Sequence, residues 1–191
     1  MEPEEFSDKT DEQLAYLTQR GRVEAFGFLI EKYQDKILRY VRRMVQGADE
    51  PNDIAQNVFL KAFENIQGFN INLRFSPWIY RIAHNETVNY LKKKKPLPLF
   101  DFDVFLPHYN AGKEEIENEV EKKQQVLRVK SFLSELNFKH REVLLLYYFQ
   151  DLSYQEIAEV LKIPIATVGV RIKRAKEAIK EIVSARGGSQ P

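Results

Sequence analysis

The side chains best suited to chemistry in this chain are amides and cations interleaved with aromatics, and one group of them lies within residues 69–93. A loop at residues 69–75 places Asn and Arg between two Phe, and a helical pattern follows it. The candidates are Asn70, Asn72, Arg74, Trp78, Arg81, His84, Asn85, Lys92 and Lys93. Amides can pair with the edge of an unstacked base, aromatics can stack on its face, and cations can hold the phosphates. This segment therefore predicts contact with a single nucleic-acid strand.

The same residues also have an ordinary structural interpretation. Asn70 and Asn72 are residue types that form turns, and Phe69, Phe75 and Trp78 also fit as core side chains. The lysines at the end of the helical pattern favour a helix C-terminus without any nucleic acid. Both interpretations remain open from the sequence.

A second group of candidates lies within residues 152–182 and has the pattern of a helix-turn-helix. Ser153 and Glu156 have the spacing of a capping box that starts a short helix, and residues 162–164 predict a turn. A longer helix follows, with an inner stripe at Ile165, Val168, Ile172, Ala175 and Ile179 and an outer face at Ala166, Thr167, Val170, Arg171, Lys173 and Arg174. We expect this outer face to enter the major groove of duplex DNA. The alternative is an ordinary antiparallel helix pair with a solvated charged face.

The charges of the chain are segregated by sign. Its 191 residues carry 29 Lys and Arg against 28 Asp and Glu. The net charge is −5 over residues 1–19, +6 over 20–95, −3 over 96–137 and +3 over 138–191. Two basic segments separated by an acidic one fit a chain that touches a polyanion at two places, although ordinary surface variation also produces such blocks.

The composition argues against several classes of chemistry. With no Cys and only three scattered His, the chain has no disulfide, no thiolate chemistry and no sequence signal for a metal site. No motif pairs a nucleophile with a base, so we expect no catalytic residue, no cofactor and no enzyme activity. Acidic residues crowd the N-terminus and the apolar runs are short, which predicts a cytoplasmic protein without membrane insertion.

Helical periodicity covers most of the chain. Apolar stripes run over residues 26–44 and 54–66, and a third helix is expected to start with Ser76 as its N-cap and to bury Trp78. Periodicity resumes in the second half, where the apolar run at residues 143–149 is expected to be buried. All predicted elements are helices.

One segment of the chain has no helical periodicity, and it predicts where the two domains are separated. Residues 96–119 combine Pro, aromatics and acids, and no single repeat fits them. The sequence therefore predicts an all-α protein with two helical domains, residues 1–95 and 120–191, joined by an extended, flexible acidic linker at residues 96–119.

Four sequence motifs occur in order along both predicted domains. They are DIAQNVFLKAF at residues 53–63, FSPWIYRIAHN at 75–85, LSYQEIAE at 152–159 and IPIATV at 163–168. Together they resemble the extracytoplasmic-function (ECF) sigma factors of bacterial RNA polymerase, in the sigma-70 family. The resemblance implies a sigma factor that binds core polymerase, directs promoter-specific initiation and helps to melt the promoter. From the residues alone, the alternative is a helix-turn-helix transcriptional regulator with a separate amino-terminal regulatory domain.

The resemblance also implies roles for individual residues. Residues 1–95 would be sigma region 2, and a helix within it would dock on the clamp of the polymerase β′ subunit through Asp53, Gln56, Asn57 and Leu60. The loop and helix of the first group would recognise the melted non-template strand of the minus-ten element. Residues 120–191 would be sigma region 4 and would read the duplex minus-thirty-five element. The β subunit and an anti-sigma factor are further candidate partners.

Some positions depart from the family pattern. Asn57 stands where an acid is usual, Lys92 and Lys93 where Arg is usual, Lys162 where Gly is usual, and Gly169 where a polar residue is more common. Lys162 would cost about 1–2 kcal/mol in a left-handed conformation. Gly169 would weaken its helix by about 1 kcal/mol relative to Ala.

Overall fold

Helices are the regular secondary structure of this computed structural model, which describes residues 4–45, 50–94 and 131–187. Within those ranges there are no strands, so the all-α prediction is confirmed. The chain divides into two compact units. One contains the helices of the N-terminal half, and the other contains most of residues 131–187. The predicted linker and residues 120–130 lie outside the described residues, so the domain boundaries stay a prediction.

The helices of the first unit are α1 (Glu4–Ser7), α2 (Asp11–Gln19), α3 (Glu24–Met44), α4 (Pro51–Glu64) and α5 (Phe75–Lys94). A short 3-10 turn, Ile66–Gly68, follows α4. In the second unit residues 131–135 are helical. They are followed by α6 (Phe138–Gln150), α7 (Tyr154–Leu161) and α8 (Ile165–Gly187).

The core of the first unit forms around α3, which packs against α2, α4 and α5. The predicted stripe of α3 is buried at Phe26, Leu29, Tyr33, Ile37, Tyr40, Val41 and Met44. Full burial of one large apolar side chain contributes about 1.5–3 kcal/mol, so this stripe makes α3 the central element. Ile30 of the predicted stripe is only partly buried.

Three expectations for the first unit are wrong in detail. The helix expected at residues 54–66 ends at Glu64, and Phe63 is 41% exposed because it lies at the edge of the α3–α4 packing. Helix α5 begins at Phe75, one residue before the expected cap at Ser76. Trp78 is only partly buried, because the inward positions of this helix are taken by Phe75 and Ile79.

The second unit confirms the predicted helix-turn-helix elements. Ser153 Oγ accepts the Glu156 backbone N–H at 3.2 Å, and the Glu156 carboxylate accepts the Ser153 N–H at 2.8 Å, so the capping box is formed. Val168, Ile172 and Ala175 of the inner stripe are buried. Ile165 is 45% exposed, against expectation, because it is the first residue of α8.

The apolar run at residues 143–149 is only partly buried. Its first four residues are core, whereas Tyr148 is 52% and Phe149 43% exposed. A run of seven residues covers almost two turns of α6, and one packed face of a helix cannot bury all of them. The expectation that the whole run is buried is therefore wrong.

Within the described residues, two that are not Gly adopt left-handed backbone conformations. Asp151 ends α6 with φ 51°, and Lys162 follows α7 with φ 53°. The next amide, of Ile163, donates to the Ala158 carbonyl at 3.1 Å, which is the hydrogen bond of a Schellman motif. Lys162 thus occupies the αL position where Gly is the favoured residue.

We expect Lys162→Gly to stabilise the second unit by about 0.5–1 kcal/mol, because relief of the αL cost exceeds the entropy that Gly adds to the unfolded chain. The matched control is Lys180→Gly within α8, which should lose about 1 kcal/mol. Native-state hydrogen exchange of α7 and α8 amides measures both. Equal losses in the two variants would contradict the αL assignment.

Candidate nucleic-acid interface

Residues 70–74 form an exposed loop that leads into α5. Asn70 Oδ1 accepts the Asn72 backbone N–H at 3.0 Å, and the Asn70 carbonyl accepts the Leu73 N–H at 3.0 Å. Asn70 is therefore a turn former, as the alternative interpretation proposed. The side chains of Asn72, Leu73 and Arg74 are exposed on the turn.

The two ends of this loop are fixed in an aromatic cluster formed by Tyr33, Phe69, Phe75 and Trp78. Phe69 and Phe75 are 5% and 0% exposed, and their ring centroids are 5.5 Å apart. Trp78 lies 5.1 Å from Phe69 and 5.4 Å from Phe75, and Tyr33 of α3 lies 5.5 Å from Phe75. Phe69 and Phe75 are core residues, as the structural interpretation proposed, so their rings are not accessible for stacking on a base. Trp78 itself is partly exposed.

The phenol of Tyr33 is part of the same arrangement. Its hydroxyl donates to Asp11 Oδ2 of α2 at 2.6 Å. Burial, followed by this hydrogen bond, raises the pKa of Tyr33 well above its usual range. The phenol therefore stays protonated and remains a donor at neutral pH.

The outer face of α5 continues from the loop. Arg81, His84, Asn85, Lys92 and Lys93 are partly or fully exposed, as predicted. The opposite face is buried at Ile79, Tyr80, Ala83 and Thr87. The helix thus joins the basic and amide residues of the first group into one continuous exposed face that starts at the loop.

The exposed face of α4 carries the four residues predicted to contact polymerase. Asp53, Gln56 and Asn57 are exposed, and Leu60 is 60% exposed. Packing against α3 fixes this orientation, because Val58 and Ala62 on the opposite face are fully buried.

An apolar groove of about 740 Å³ between α3 and α4 was missed in the sequence. Its lining includes Ile30 and Leu38 of α3 and Phe59, Leu60 and Phe63 of α4. The sequence could have indicated this groove, because Ile30 and Leu38 make the apolar stripe of α3 wider than the face that is buried. The groove adjoins Gln56 and Leu60, so it widens the predicted contact surface of α4.

In the second unit the predicted outer face of α8 is accessible. Ala166, Val170, Lys173 and Arg174 are exposed, and Thr167 and Arg171 are partly exposed. Lys173 and Glu177 approach to 4.0 Å at an exposed i,i+4 position, which adds little stability.

Gly169 lies in this helix beside Tyr154 of α7. A Cβ at residue 169 would lie 3.7 Å from the Tyr154 ring, which is ordinary van der Waals contact. Close approach of the preceding helix therefore does not require Gly at this position.

A second feature missed in the sequence is a small apolar cavity of about 310 Å³ beside α6 and α8. Its lining includes Phe132, Leu144, Tyr148 and Phe149. The Lys176 ammonium lies 5.4 Å from the centre of the Tyr148 ring. The sequence could have indicated this exposed surface, because the apolar run in α6 is longer than one packed helix face can bury.

Metal-binding clusters and membrane-spanning helices are absent from the described ranges. Across residues 4–45, 50–94 and 131–187, no three His, Asp or Glu side chains converge in a way that could hold a metal ion. None of the helices in this part of the chain is long and apolar enough to cross a membrane.

Both units of the chain match models of known protein families. The family model for sigma-70 region 2 matches residues 29–96, and the model for sigma-70 region 4 matches residues 127–179. The ECF RNA polymerase sigma factor SigW of Bacillus subtilis is 35% identical over an alignment of 178 residues that covers 85% of this chain and 90% of that protein. The ECF RNA polymerase sigma-E factor of Escherichia coli K12 is 35% identical over 181 residues, covering 89% and 92% of the two chains.

Solved structures share the fold. CnrH in complex with the cytosolic domain of CnrY matches with a TM-score of 0.68 and 22% identity, over 92% of this chain and 97% of that chain. RpoE of Bartonella quintana, solved in complex with the anti-sigma factor NepR, matches with a TM-score of 0.67 and 18% identity, over 83% and 96%. The two sigma-70 regions and the identity to curated relatives along most of the chain show that this protein belongs to the ECF sigma factors, which direct promoter-specific transcription.

Proposed function

We propose that this sigma factor binds core RNA polymerase through α4, captures the melted minus-ten strand with residues 70–74 and α5, and reads the minus-thirty-five duplex with α8. The observation that carries the proposal is the exposed loop whose two ends, Phe69 and Phe75, are buried in one aromatic cluster. A loop with fixed ends presents its polar side chains in a defined place, which recognition of a single strand needs.

Each part of the minus-ten surface has a chemical role. The Asn72 amide is suited to the hydrogen-bonding edge of an extruded base, and Arg74 and Arg81 are suited to the backbone. Lys92 and Lys93 neutralise phosphates as point charges, although without the bidentate geometry of Arg. Trp78, which is partly exposed, offers an apolar contact at the start of α5.

The α4 surface is suited to a protein partner. Asp53, Gln56 and Asn57 supply polar contacts, and Leu60 with the adjoining groove supplies apolar area. We assign this surface to the clamp of the polymerase β′ subunit, and the β subunit is a further contact. Polymerase then performs the chemistry in the cytoplasm, and this chain is not an enzyme. Because the RpoE relative was solved with the anti-sigma factor NepR, an anti-sigma factor is also a proposed partner.

In the second unit α8 is the proposed recognition helix. Ala166 and Val170 offer apolar contacts to thymine methyl groups, and Arg171 and Arg174 offer contacts to guanine or phosphate. Residues 1–95 and 120–191 are then sigma regions 2 and 4, with residues 96–119 as the acidic linker between them. The regulator alternative is disfavoured, since it needs neither a sigma-70 region 2 nor an exposed strand-binding loop within it.

Joint replacement of Asp53 and Gln56 by Ala should weaken association with core polymerase and leave the fold intact, because both side chains are exposed. Asp35 and Asn89 are an exposed acid and an exposed amide outside α4, and their joint replacement by Ala is the control. Association is measured by titrating labelled full-length protein with core enzyme. An unchanged Kd in the α4 double variant would refute the docking assignment.

Replacement of Asn70, Asn72 and Arg74 by Ala should reduce permanganate-reactive thymines in the promoter while association with polymerase stays near wild type. A premelted promoter should recover part of the loss, because the cost of unpairing has then been removed. The control is Asn70→Ser, which keeps a side-chain acceptor for the turn and adds no charge. Wild-type open complex from the triple variant on duplex DNA would exclude the loop from strand capture.

Arg171→Ala and Arg174→Ala should weaken promoter binding in the holoenzyme. An Arg that contacts only phosphate should lower the salt slope by about 1, whereas one that reads guanine should cost about 1–3 kcal/mol and relax one base position. Lys180→Ala, also exposed on α8, is the matched control. Unchanged affinity and selectivity in both Arg variants would remove this face from the interface.

A further inference from the structure

Helix α2 lies outside the residues that match sigma-70 region 2, which begin at residue 29, yet it touches both ends of the strand-binding loop. We propose that α2 is a positioning element of the minus-ten site, and that Gln19 and Glu12 hold residues 70–74 in the conformation that captures the melted strand. This inference rests on the proposed function of that loop and adds a set of residues to it.

The first contact is at the start of the loop. Gln19 Nε2 donates to the Ile66 carbonyl at 2.7 Å and to the Phe69 carbonyl at 2.8 Å. Both acceptors belong to the turn that precedes residue 70, so one amide fixes the direction in which the chain enters the loop. Gln67 Nε2 donates to the Gln19 backbone carbonyl at 3.1 Å, which makes the connection reciprocal.

The second contact is at the end of the loop. Glu12 Oε1 accepts the backbone N–H of Phe75, the first residue of α5, at 3.0 Å. A carboxylate at this position satisfies one of the unpaired amides of the helix N-terminus and is favoured by the helix dipole. Glu12 therefore acts as an N-cap supplied by another helix.

The two positions have the spacing that this double contact needs. Residues 12 and 19 are seven apart, which places them on the same face of α2 and about 10 Å apart along its axis. One face of a single rigid helix can therefore hold the entry and the exit of the loop at a fixed separation.

Helix α2 is itself firmly held in the unit. Asp11 accepts the Tyr33 hydroxyl at 2.6 Å and pairs with Lys32 at 2.5 Å, which ties α2 to α3. The loop is thus connected to the core of the unit through α2 as well as through the aromatic cluster.

This arrangement orders the loop before DNA arrives. A flexible loop loses conformational entropy when it binds a strand, and a loop that is already ordered loses less. Removal of the α2 contacts should therefore weaken strand capture without touching any residue assigned to the DNA or polymerase contacts.

The test uses the full-length chain and its complex with core polymerase. The variants are Gln19→Ala, Gln19→Glu, which places a carboxylate opposite two carbonyl oxygens, and Glu12→Ala. The control is Gln13→Ala, which weakens the capping box of α2 but does not contact the loop. Two quantities are measured: the hydrogen-exchange rates of the Asn72 and Leu73 amides in the free chain, and the holoenzyme's affinity for a promoter with a single-stranded minus-ten segment.

We expect each Gln19 variant to exchange the Asn72 and Leu73 amides about tenfold faster, with Gln19→Glu the faster of the two, and to bind the single-stranded promoter about tenfold more weakly. Association with core polymerase and exchange in the centre of α3 should stay at wild-type values. Glu12→Ala should act in the same direction, and Gln13→Ala should change neither loop exchange nor strand affinity. If a Gln19 variant unfolds, the amides throughout α3 will exchange fast. The result for Glu12→Ala then decides whether α2 holds the loop.

Loop exchange that is unchanged in the Gln19 and Glu12 variants, or raised equally by Gln13→Ala, would overturn the inference. Faster loop exchange with wild-type strand affinity would overturn it as well, because the ordering of the loop would then not contribute to strand binding. Failure of the proposed function has a different signature. In that case the wild-type holoenzyme itself would not bind the single-stranded promoter, whereas the exchange data would still report whether α2 holds the loop.

Discussion

The packing of Phe75 against Tyr33 and Phe69 is the contact on which the proposed strand-binding surface of this sigma factor depends. Phe75 is fully buried, and it is both the end of the loop and the first residue of α5. Its burial therefore fixes the loop and the helix by one interaction. The polar residues of the loop are exposed because Phe69 and Phe75, at its two ends, are buried in the core.

In the second unit, the position of the exposed helix depends on the backbone conformation of the turn that precedes it. Helix α8, the proposed recognition helix, follows α7 after a short turn, and this turn contains a left-handed residue. Lys162 adopts that conformation although Gly would do so at lower cost. Burial of Val168, Ile172 and Ala175 then holds α8 so that its opposite face is accessible.

Helix periodicity and caps were predictable because they depend on residues close together in the chain. The stripe of α3, the capping box of Ser153 and Glu156, and the exposed faces of α4 and α8 follow from three- and four-residue spacing. The limits of burial were less predictable. Phe63, Tyr148 and Phe149 are apolar and on helices, yet they are exposed because no helix within the described residues covers them.

The sequence alone determined that the chain is helical, that it carries two nucleic-acid-binding patterns, and that its motifs resemble ECF sigma factors. Only the tertiary structure decided which aromatics are core and what holds the loop. Gln19 contacts residues 47 and 50 positions later, and Glu12 contacts a residue 63 positions later. No local pattern encodes such hydrogen bonds, because their geometry exists only after α3 and α5 have brought the two segments together.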